Sequence, residues 1–361
     1  MYTNGDREEE IEAFNKSKTG IKGLIDSDIR TIPKIFIRPQ EEILQNTSIE
    51  GEELELPVIN LEGLDKDEER KRIVNEIKNA MEKWGFFQVI NHGIPLEVLD
   101  NTIEGVRNLN EQDIEVKKEF YSTDSKQVVY MGEYELDKTQ AVDWRDSLTI
   151  NKAQIDHLDP QLLPSICRNE ILDHIKHVLK LGNNILELLL EALGLKPESI
   201  MKELECDKGW ACRYHYYPAC PQPELALGIL KHTDGSFLTV LLQDQLSGLQ
   251  VLYDNQWVEV RPVPGALVIN IGDLFQILSN DKFKSVCHRV RSNRVGPRIS
   301  AAFFFTGLAT SPKTYGPIKE LLSEQNPPVY REFTLGEFVA NYLSKPPEEP
   351  SYLPFLIKYN K

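Results

Sequence analysis

The chain has 361 residues, and its 41 lysines and arginines against 56 aspartates and glutamates give a formal net charge of −15. This acidity argues against a nucleic-acid partner, because proteins that bind nucleic acids present basic surfaces. Hydrophobic residues make up 41% and charged residues 27% of the chain, which is typical of a soluble globular protein and excludes disordered and fibrous classes.

No stretch of the sequence resembles a targeting or membrane signal. The first residues lack a basic segment followed by an apolar one, and no apolar run approaches the ~20 residues that span a bilayer. The five cysteines include no CxxC pair, which predicts reduced thiols instead of a disulfide framework or a structural zinc site. We therefore expect a cytoplasmic monomer with no membrane partner.

The first part of the chain predicts an arm, two helices and a strand. Residues 1–55 mix acidic residues, glycine and proline, and we expect them to dock on the body through the apolar residues Ile32, Ile35, Phe36 and Ile37. Periodic apolar residues from Asp65 to Trp84 predict an amphipathic helix, which leads directly into the strand GFFQVIN. A turn and a second helix near Pro95 to Leu109 follow.

The remainder of the chain is predicted to contain an irregular region, a helix, a series of short strands and a helical tail. Residues 121–163 have poor periodicity, which indicates a long irregular region with short strands, a kind of segment that is often functional. A helix is predicted from about Cys167 to near Gly194. After Trp210, short β-rich runs alternate with turn residues, as in a sandwich or jelly roll. From about Pro317 the tail, with LLSE and FTLGEFVANYLSK, has helical texture again.

The predicted fold is therefore α+β, with a jelly-roll core flanked by helices. The expected division is an arm (1–55), an N-terminal helix and strand region (56–165), a scaffold helix (166–204), the jelly-roll domain (205–310) and a helical tail (311–361). The jelly-roll stretch holds nine acidic and ten basic residues, so the acidity of the chain is concentrated outside it.

The jelly-roll segment contains a candidate metal centre. His232 and Asp234 flank Thr233 just before a predicted strand, and residues i and i+2 of an extended segment project to the same side. His288 lies on the strand SVCHRV, where a lone histidine is more often a core residue than a ligand. Together, two histidines and one carboxylate from two strands match the facial triad of non-haem Fe(II) oxygenases.

Ten residues beyond His288, a second pair suits a carboxylate ligand. Arg298 and Ser300 again have i, i+2 spacing on one strand. Arginine offers a planar fork for a carboxylate, and the serine adds a hydroxyl beside it. The alternative interpretation of Arg298 is a surface ion pair.

These motifs carry a resemblance that extends over nearly the whole chain. The sequence resembles plant 2-oxoglutarate- and Fe(II)-dependent dioxygenases in WGFFQVINHGIP, YYPACPQP, KHTDGSFLTVLLQD, GLQVL, VINIGD, HRV and RIS. The early segments GIKGL and IPKIFIRP, with HYYPACP, are most similar to the branch of 1-aminocyclopropane-1-carboxylate oxidase homologues. The resemblance implies a double-stranded β-helix, and it implies Fe(II), 2-oxoglutarate as cosubstrate, O2, and ascorbate as a support of activity.

The resemblance also implies roles for individual residues. It assigns His232, Asp234 and His288 to iron, and Arg298 and Ser300 to the far carboxylate of 2-oxoglutarate. It places Tyr217 at a hydrogen bond near that carboxylate. Where many relatives have asparagine two residues before this tyrosine, the present chain has His215, which either replaces the amide as a donor to the cosubstrate or only forms part of the wall.

Candidate substrate contacts come from two places. Phe304, four residues after Ser300 on the same strand, shares its side and is suited to stack on a ring, although a core role is open as well. Tyr130 precedes Asp143-Trp144-Arg145-Asp146 in the irregular region, where loops over a β scaffold often shape pockets. For the Asp143–Asp146 segment, a loop held by its own ion pairs is the alternative.

The predicted function is that of an oxygenase that hydroxylates a small, ring-containing plant specialised metabolite, of alkaloid, steroid or benzoxazinoid type. Succinate and CO2 are the expected coproducts. The alternatives are an ethylene-forming 1-aminocyclopropane-1-carboxylate oxidase and a non-catalytic small-molecule binding protein on the same fold. A zinc hydrolase is a further class that uses such ligands, but it leaves Arg298 and Ser300 unexplained. The sequence does not choose among hydroxylation, demethylation, desaturation and ring closure, nor does it name the substrate.

Overall fold

The computed structural model describes residues 4–43, 54–121, 128–130, 141–151, 158–344 and 349–358. The α-helices are α1 (Asn4–Ser17), α2 (Gly20–Asp26), α3 (Gln40–Ile43), α4 (Asp67–Lys83), α5 (Leu96–Glu111), α6 (Ile114–Phe120), α7 (Arg168–Ala192), α8 (Pro197–Leu204), α9 (Asp273–Leu278) and α10 (Leu335–Ser344). The strands are β1 (Val58–Asn60), β2 (Phe86–Ile90), β3 (Val128–Tyr130), β4 (Asp146–Asn151), β5 (Trp210–Tyr217), β6 (Leu227–His232), β7 (Leu238–Gln243), β8 (Leu249–Tyr253), β9 (Gln256–Glu259), β10 (Leu267–Ile271), β11 (His288–Arg291), β12 (Arg298–Phe305), β13 (Thr314–Tyr315) and β14 (Phe333–Thr334).

Two sheets form the centre of the molecule. The large sheet has eight strands in the order β1-β2-β10-β7-β12-β5-β4-β3, and the small sheet has four in the order β6-β11-β8-β9. Apart from the parallel pair β1 and β2, neighbouring strands are antiparallel. Two antiparallel sheets with crossovers between non-consecutive strands are the arrangement of a jelly roll. The predicted α+β fold with a jelly-roll core is thus confirmed.

Helices α4, α5 and α7 pack against the large sheet. α7 packs against α4 and α5, and it also contacts β7. The apolar residues predicted for one face of α7, Ile171, Ile175, Val178, Ile185 and Leu189, are all buried. Burial of such a stripe is what stabilises an amphipathic helix in a protein. Gly182 allows α7 to approach β12, since a Cβ atom there would overlap the ring of Phe305.

The arm packs against the body around Trp144. Ile32, Ile35 and Phe36 are buried as expected, whereas Ile37 stays 40% exposed. Phe36 meets the ring of Trp144 edge to face at 5.1 Å. The arm is held by Asp146 as well, whose carboxylate accepts the backbone N–H groups of Ile21 and Lys22, each at 2.8 Å. Burial raises the pKa of Asp146 to about 6, although these two hydrogen bonds oppose the rise.

Two regions differ from the sequence-based expectation. The segment LLSE was wrongly predicted as helical. Only the single 3-10 turn Lys319–Leu321 forms there, and backbone hydrogen bonds between Ser323 and Asn326 close a tight turn after it. The tail also contains the short pair β13 and β14. In the irregular region, β3 and β4 are present, and residues 122–127, 131–140 and 152–157 lie outside the described residues.

In the described part of the chain, no helix has the length and apolar character needed to cross a bilayer. No disulfide joins the five cysteines, all of which are among the described residues.

Candidate active site

A cavity of about 280 Å³ lies between the two sheets. Its walls come from β5, β7 and β12 of the large sheet and from β6, β8 and β11 of the small sheet, and α10 closes one side with Tyr342 and Leu343. Side chains alternate along a strand, and on β5, β7, β11 and β12 the residues that line the cavity are separated by an even number of positions. The predicted site residues can therefore be placed by strand register.

The structure brings His232, Asp234 and His288 together in this cavity. His232 ends β6 and His288 begins β11, and the two residues lie opposite each other in the antiparallel pair. Nε2 of His232 lies 3.6 Å and Nε2 of His288 lies 3.5 Å from Oδ1 of Asp234. Within the described residues this is the only cluster of three side chains with suitable ligand atoms, all within 4.8 Å of one another.

Backbone carbonyls fix the tautomers of both histidines. Nδ1 of His232 lies 2.8 Å from the carbonyl oxygen of Leu230, and Nδ1 of His288 lies 3.2 Å from that of Val286. Because a carbonyl only accepts, each Nδ1 carries the proton and each Nε2 presents a lone pair to the cluster. Burial and the neighbouring His288 lower the pKa of His232 and keep it neutral. Outer hydrogen bonds of this kind orient metal-binding histidines.

The carboxylate of Asp234 is held in the same way. Its Oδ2 accepts hydrogen bonds from Oγ1 of Thr239 at 2.6 Å and from Nδ2 of Asn270 at 2.8 Å. Burial opposes ionisation, but these two hydrogen bonds favour the ionised form, and the pKa of Asp234 is lowered. Oδ1 is left facing the histidines. Sequence reasoning assigned no role to Thr239 and Asn270, although a polar residue in the apolar runs FLTVLLQ and VINIG was a usable signal.

Gly272 holds the turn after β10 against the backbone of the metal-binding segment. A Cβ atom at this position would overlap the carbonyl oxygens of Asp234 and Ser236. The next residue, Asp273, donates its backbone N–H to the carbonyl of Asp234 at 2.7 Å. Glycine is required here for close approach between two backbone segments.

We expect Gly272→Ala to displace Asp234 from the cluster. The overlap should lower the free energy of unfolding by about 1–3 kcal/mol. Affinity for Mn(II) or Fe(II) should fall about 10-fold or more, as it does when a residue that orients a metal ligand is lost. Urea unfolding and anaerobic metal titration measure the two effects. Gly316→Ala is the matched control, since the tightest contact of its Cβ would be the flexible Glu332 side chain, at 3.2 Å, and its backbone neighbours lie at ordinary contact distances. Unchanged metal affinity in Gly272→Ala would contradict the assignment.

A buried arginine lies at the start of β12. Arg298 is 1% exposed, donates from Nη2 to Oε1 of Gln243 at 2.9 Å, and lies 3.4 Å from Oγ of Ser300 through Nη1. Its guanidinium carbon is 5.1 Å from the centre of the Tyr217 ring, the residue opposite it in β5. The structure thus brings Arg298, Ser300 and Tyr217 together and adds Gln243, which sequence reasoning did not identify.

The charge of Arg298 points to an anionic ligand. None of the carboxylates that the structure describes forms a salt bridge with it, and its Nε has no hydrogen-bond partner there. An unpaired charge is costly to bury, so a compensating anion is expected. The interpretation of Arg298 as a surface ion pair is wrong because the side chain is buried. A dicarboxylate whose far end reaches this fork fits the donor set.

His215 lies in the wall between these two clusters. Its Nδ1 is 2.8 Å from Oγ of Ser147 and 3.1 Å from Nη1 of Arg145. Arg145 in turn forms an ion pair with Asp143 at 3.3 Å, and both line the cavity. The two interpretations of this segment therefore coexist, because a loop held by its own ion pair also shapes the pocket.

The two residues predicted to contact the substrate lie in different parts of the molecule. Phe304 lines the cavity. Tyr130 does not: it is 1% exposed, and its hydroxyl donates to Oδ1 of Asn110 on α5. It lies opposite Leu148 in β4, which lies opposite Tyr214 in β5, and all three belong to the core beneath the helices. The prediction for Tyr130 is corrected, since its side of the sheet faces the helices and not the cavity.

Comparisons with known proteins agree with this site. Residues 209–307 match the family model of the 2OG-Fe(II) oxygenase superfamily, and residues 56–167 match that of the non-haem dioxygenase in morphine synthesis N-terminal region. The chain is 49% identical over 343 residues to 1-aminocyclopropane-1-carboxylate oxidase homolog 1 of Arabidopsis thaliana, covering 94% of this chain and 93% of that protein. It is 47% identical over 355 residues to deacetoxyvindoline 4-hydroxylase of Catharanthus roseus, covering 95% and 88%.

A solved structure is similar over the same length. The crystal structure of JOX2 in complex with 2OG, Fe and JA superposes with a TM-score of 0.83 at 32% identity, covering 94% of this chain and 98% of that one. Members of this family are oxidoreductases that require Fe(II), 2-oxoglutarate and O2. The identity with full-length relatives and the histidine and carboxylate cluster lead to one conclusion: the chain belongs to the 2OG-Fe(II) oxygenase superfamily.

Proposed function

We propose that the protein is a 2-oxoglutarate- and Fe(II)-dependent hydroxylase of a small, ring-containing plant specialised metabolite of alkaloid, steroid or benzoxazinoid type. The observation that carries this proposal is one cavity that holds the His232, Asp234 and His288 cluster, the buried cation of Arg298 and an apolar wall. The similarity to a protein named deacetoxyvindoline 4-hydroxylase supports hydroxylation of a specialised metabolite.

In this proposal His232 and His288 would hold the metal through Nε2, and Asp234 would hold it through Oδ1. Two neutral imidazoles and one carboxylate would leave coordination positions for the cosubstrate and O2. When bound, Fe(II) and 2-oxoglutarate supply the oxidising chemistry that places one oxygen atom of O2 in the product and the other in succinate, with release of CO2. The chain's own contribution is to fix the three ligand atoms before the metal arrives.

The cosubstrate is anchored by Arg298. Its guanidinium binds the far carboxylate, with the hydroxyl groups of Ser300 and Tyr217 beside it. Arg298 and Tyr217 face the same cavity as the metal cluster, so a molecule with a carboxylate at one end and a chelating group at the other spans the two sites. Burial excludes water from this carboxylate and strengthens the ion pair.

The substrate occupies the remaining apolar part of the cavity. Phe304 from the large sheet and Ile229 and Val290 from the small sheet line it, and an aromatic side chain favours a ring through stacking or edge contacts. The polar groups of Asp143 and Arg145 also line the cavity and orient one end of the molecule. These contacts place a particular C–H bond near the metal cluster and exclude others.

The test is anaerobic reconstitution of the full chain with Fe(II), 2-oxoglutarate and ascorbate, followed by oxygen and a panel of plant metabolite extracts. We expect succinate and a product heavier by one oxygen atom. Ethylene from 1-aminocyclopropane-1-carboxylate would instead identify the ethylene-forming alternative. Absence of succinate with every extract would overturn the enzyme proposal in favour of a binding protein.

The proposal also includes a monomeric enzyme in the cytosol. Cysteines without disulfide bonds are typical of a reducing compartment. Light scattering coupled to size exclusion measures the oligomeric state, and fractionation of plant cells measures the location.

A further inference from the structure

We infer that Arg145 and Ser147 are positioning residues that hold His215 with its proton on Nε2, so that His215 donates this N–H to the bound 2-oxoglutarate. The inference rests on the proposed function, because it names a contact within the same cosubstrate site. It gives a defined role to the histidine that stands where an amide is common in similar sequences.

The strand register places His215 among the carboxylate-binding groups. In the pair β5 and β12, His215 lies opposite Ser300, and Tyr217 lies opposite Arg298. Residues directly opposite each other in antiparallel strands have Cβ atoms about 5 Å apart on the same face. The rings of His215 and Tyr217 are 5.8 Å apart, and His215, Tyr217 and Arg298 all line the cavity. A dicarboxylate on Arg298 therefore passes beside His215.

Hydrogen-bond chemistry determines which nitrogen of His215 is protonated. Nη1 of Arg145 lies 3.1 Å from Nδ1, and a guanidinium only donates, so Nδ1 must accept. The hydroxyl of Ser147 lies 2.8 Å from the same nitrogen and accepts from Nη1 of Arg145 at 3.2 Å, so the serine proton and the guanidinium share the single lone pair of Nδ1. Burial and the positive charge of Arg145 lower the pKa of His215 well below its ordinary value, so the ring is neutral. Its one proton is on Nε2.

Arg145 is itself fixed by a chain of ionic contacts. Its Nη2 lies 3.3 Å from Oδ2 of Asp143. Oδ1 of Asp143 accepts from Nη2 of Arg38 at 2.6 Å and from the backbone N–H of Leu230 at 3.0 Å. Arg38 belongs to the N-terminal arm, so the arm supports the position of His215 through Asp143 and Arg145. A donor held this firmly loses little entropy when it binds its acceptor.

Three histidines of one cavity thus have two different tautomers. His232 and His288 carry the proton on Nδ1 and keep an Nε2 lone pair, which suits a metal ligand. His215 carries the proton on Nε2, which suits a donor to a carboxylate or carbonyl oxygen. An asparagine amide also donates N–H, so His215→Asn is a conservative exchange by this reasoning.

The first experiment is ¹H–¹⁵N NMR of the full chain with ¹⁵N-labelled histidine, without metal or cosubstrate. We expect His215, assigned by its loss in His215→Asn, to show the Nε2–H tautomer. His92 is an internal reference for that tautomer, since its Nδ1 accepts from the backbone N–H of Ile94 at 3.2 Å and its Nε2 lies 2.9 Å from the carbonyl of Gly265. An Nδ1–H tautomer or a charged ring at neutral pH would overturn the inference.

The second experiment measures the Kd of 2-oxoglutarate by calorimetry with Mn(II) in place of Fe(II). A hydrogen bond to a charged group contributes roughly 1.5–3 kcal/mol, or about 10–100-fold in Kd. We expect a loss of that size in His215→Phe, near wild-type affinity in His215→Asn, and an intermediate loss in Arg145→Met. Arg294→Met is the matched control, since its ion pair with Glu224 is exposed. Thermal melting identifies any variant that fails to fold. If His215→Phe fails to fold, the affinity of His215→Asn and the tautomer found by NMR test the inference about His215.

The two proposals fail in distinguishable ways. If the wild-type protein binds 2-oxoglutarate and forms succinate but His215→Phe binds it equally well, the inference about His215 is wrong and the proposed function stands. If the wild-type protein with Mn(II) does not bind 2-oxoglutarate, the proposed function and the inference both fail.

Discussion

Asp234→Ala is expected to abolish succinate formation, because it removes the only carboxylate of the metal cluster. Metal affinity should fall by more than about 100-fold, because losing a residue that only orients a ligand already costs up to about that much. The loss of the carboxylate also leaves Thr239 and Asn270 without the acceptor they bind at 2.6 and 2.8 Å, which should destabilise the fold by about 1–3 kcal/mol for each donor. Anaerobic Mn(II) titration, succinate assays and urea unfolding measure these effects.

Two further variants separate the metal effect from the folding effect. Asp234→Asn keeps the size of the side chain and an oxygen for Thr239, so the fold should be retained while metal affinity is lost with the charge. Asp100→Ala removes an exposed carboxylate from α5 and should change neither quantity. Full turnover in Asp234→Ala or Asp234→Asn would refute the assignment of Asp234 as a metal ligand.

Arg298→Ala is expected to weaken 2-oxoglutarate binding on the order of 100-fold, with little effect on metal affinity. The size follows from removing one partner of a buried, hydrogen-bonded charge pair, about 2–5 kcal/mol. Arg298→Lys should recover part of the loss, because lysine restores the charge but not the planar fork. The KM for 2-oxoglutarate and its Kd with Mn(II) both measure the effect.

Arg291→Ala is the control for Arg298, since it removes an exposed arginine from β11. An unchanged KM for 2-oxoglutarate in Arg298→Ala would show that another group holds the far carboxylate. A large loss of metal affinity in Arg298→Ala would show instead that Arg298 supports the metal cluster and not the cosubstrate.

Sequence spacing predicted two residue pairs at the centre of the candidate site, but it did not predict Thr239, Asn270 or Gln243. The i, i+2 spacing of His232 and Asp234, and of Arg298 and Ser300, predicted one orientation for each pair, because strands have a period of two. The pairing of His288 with His232 was a hypothesis from chemistry, and the antiparallel register of β11 and β6 shows that they are opposite each other. The division of the chain into five parts stays a prediction.

Sequence patterns did not predict which side of the sheet a residue faces where a strand lacks alternating polar and apolar residues. Tyr130 lies in an irregular region without an alternating pattern, so the sequence did not indicate which side of the sheet it faces. Its pairing across β4 to Tyr214 places it under the helices. The sequence around α10 was predicted only as part of a helical tail, yet α10 supplies Tyr342, whose hydroxyl donates to the carbonyl of Thr233 at 2.8 Å. Contacts between distant segments of this kind have no local signature.

The sequence by itself predicted the jelly-roll class, the family resemblance and the candidate metal and carboxylate-binding residues, since short β-rich runs and i, i+2 pairs are local patterns. The role that we propose for His215 depends on the tertiary structure. Its sequence neighbours leave either nitrogen free to carry the proton, whereas Arg145, 70 positions away, donates to Nδ1 and excludes a proton there. A hydrogen bond between segments that are distant in sequence sets the chemistry of that side chain, because protonation depends on which groups meet in space.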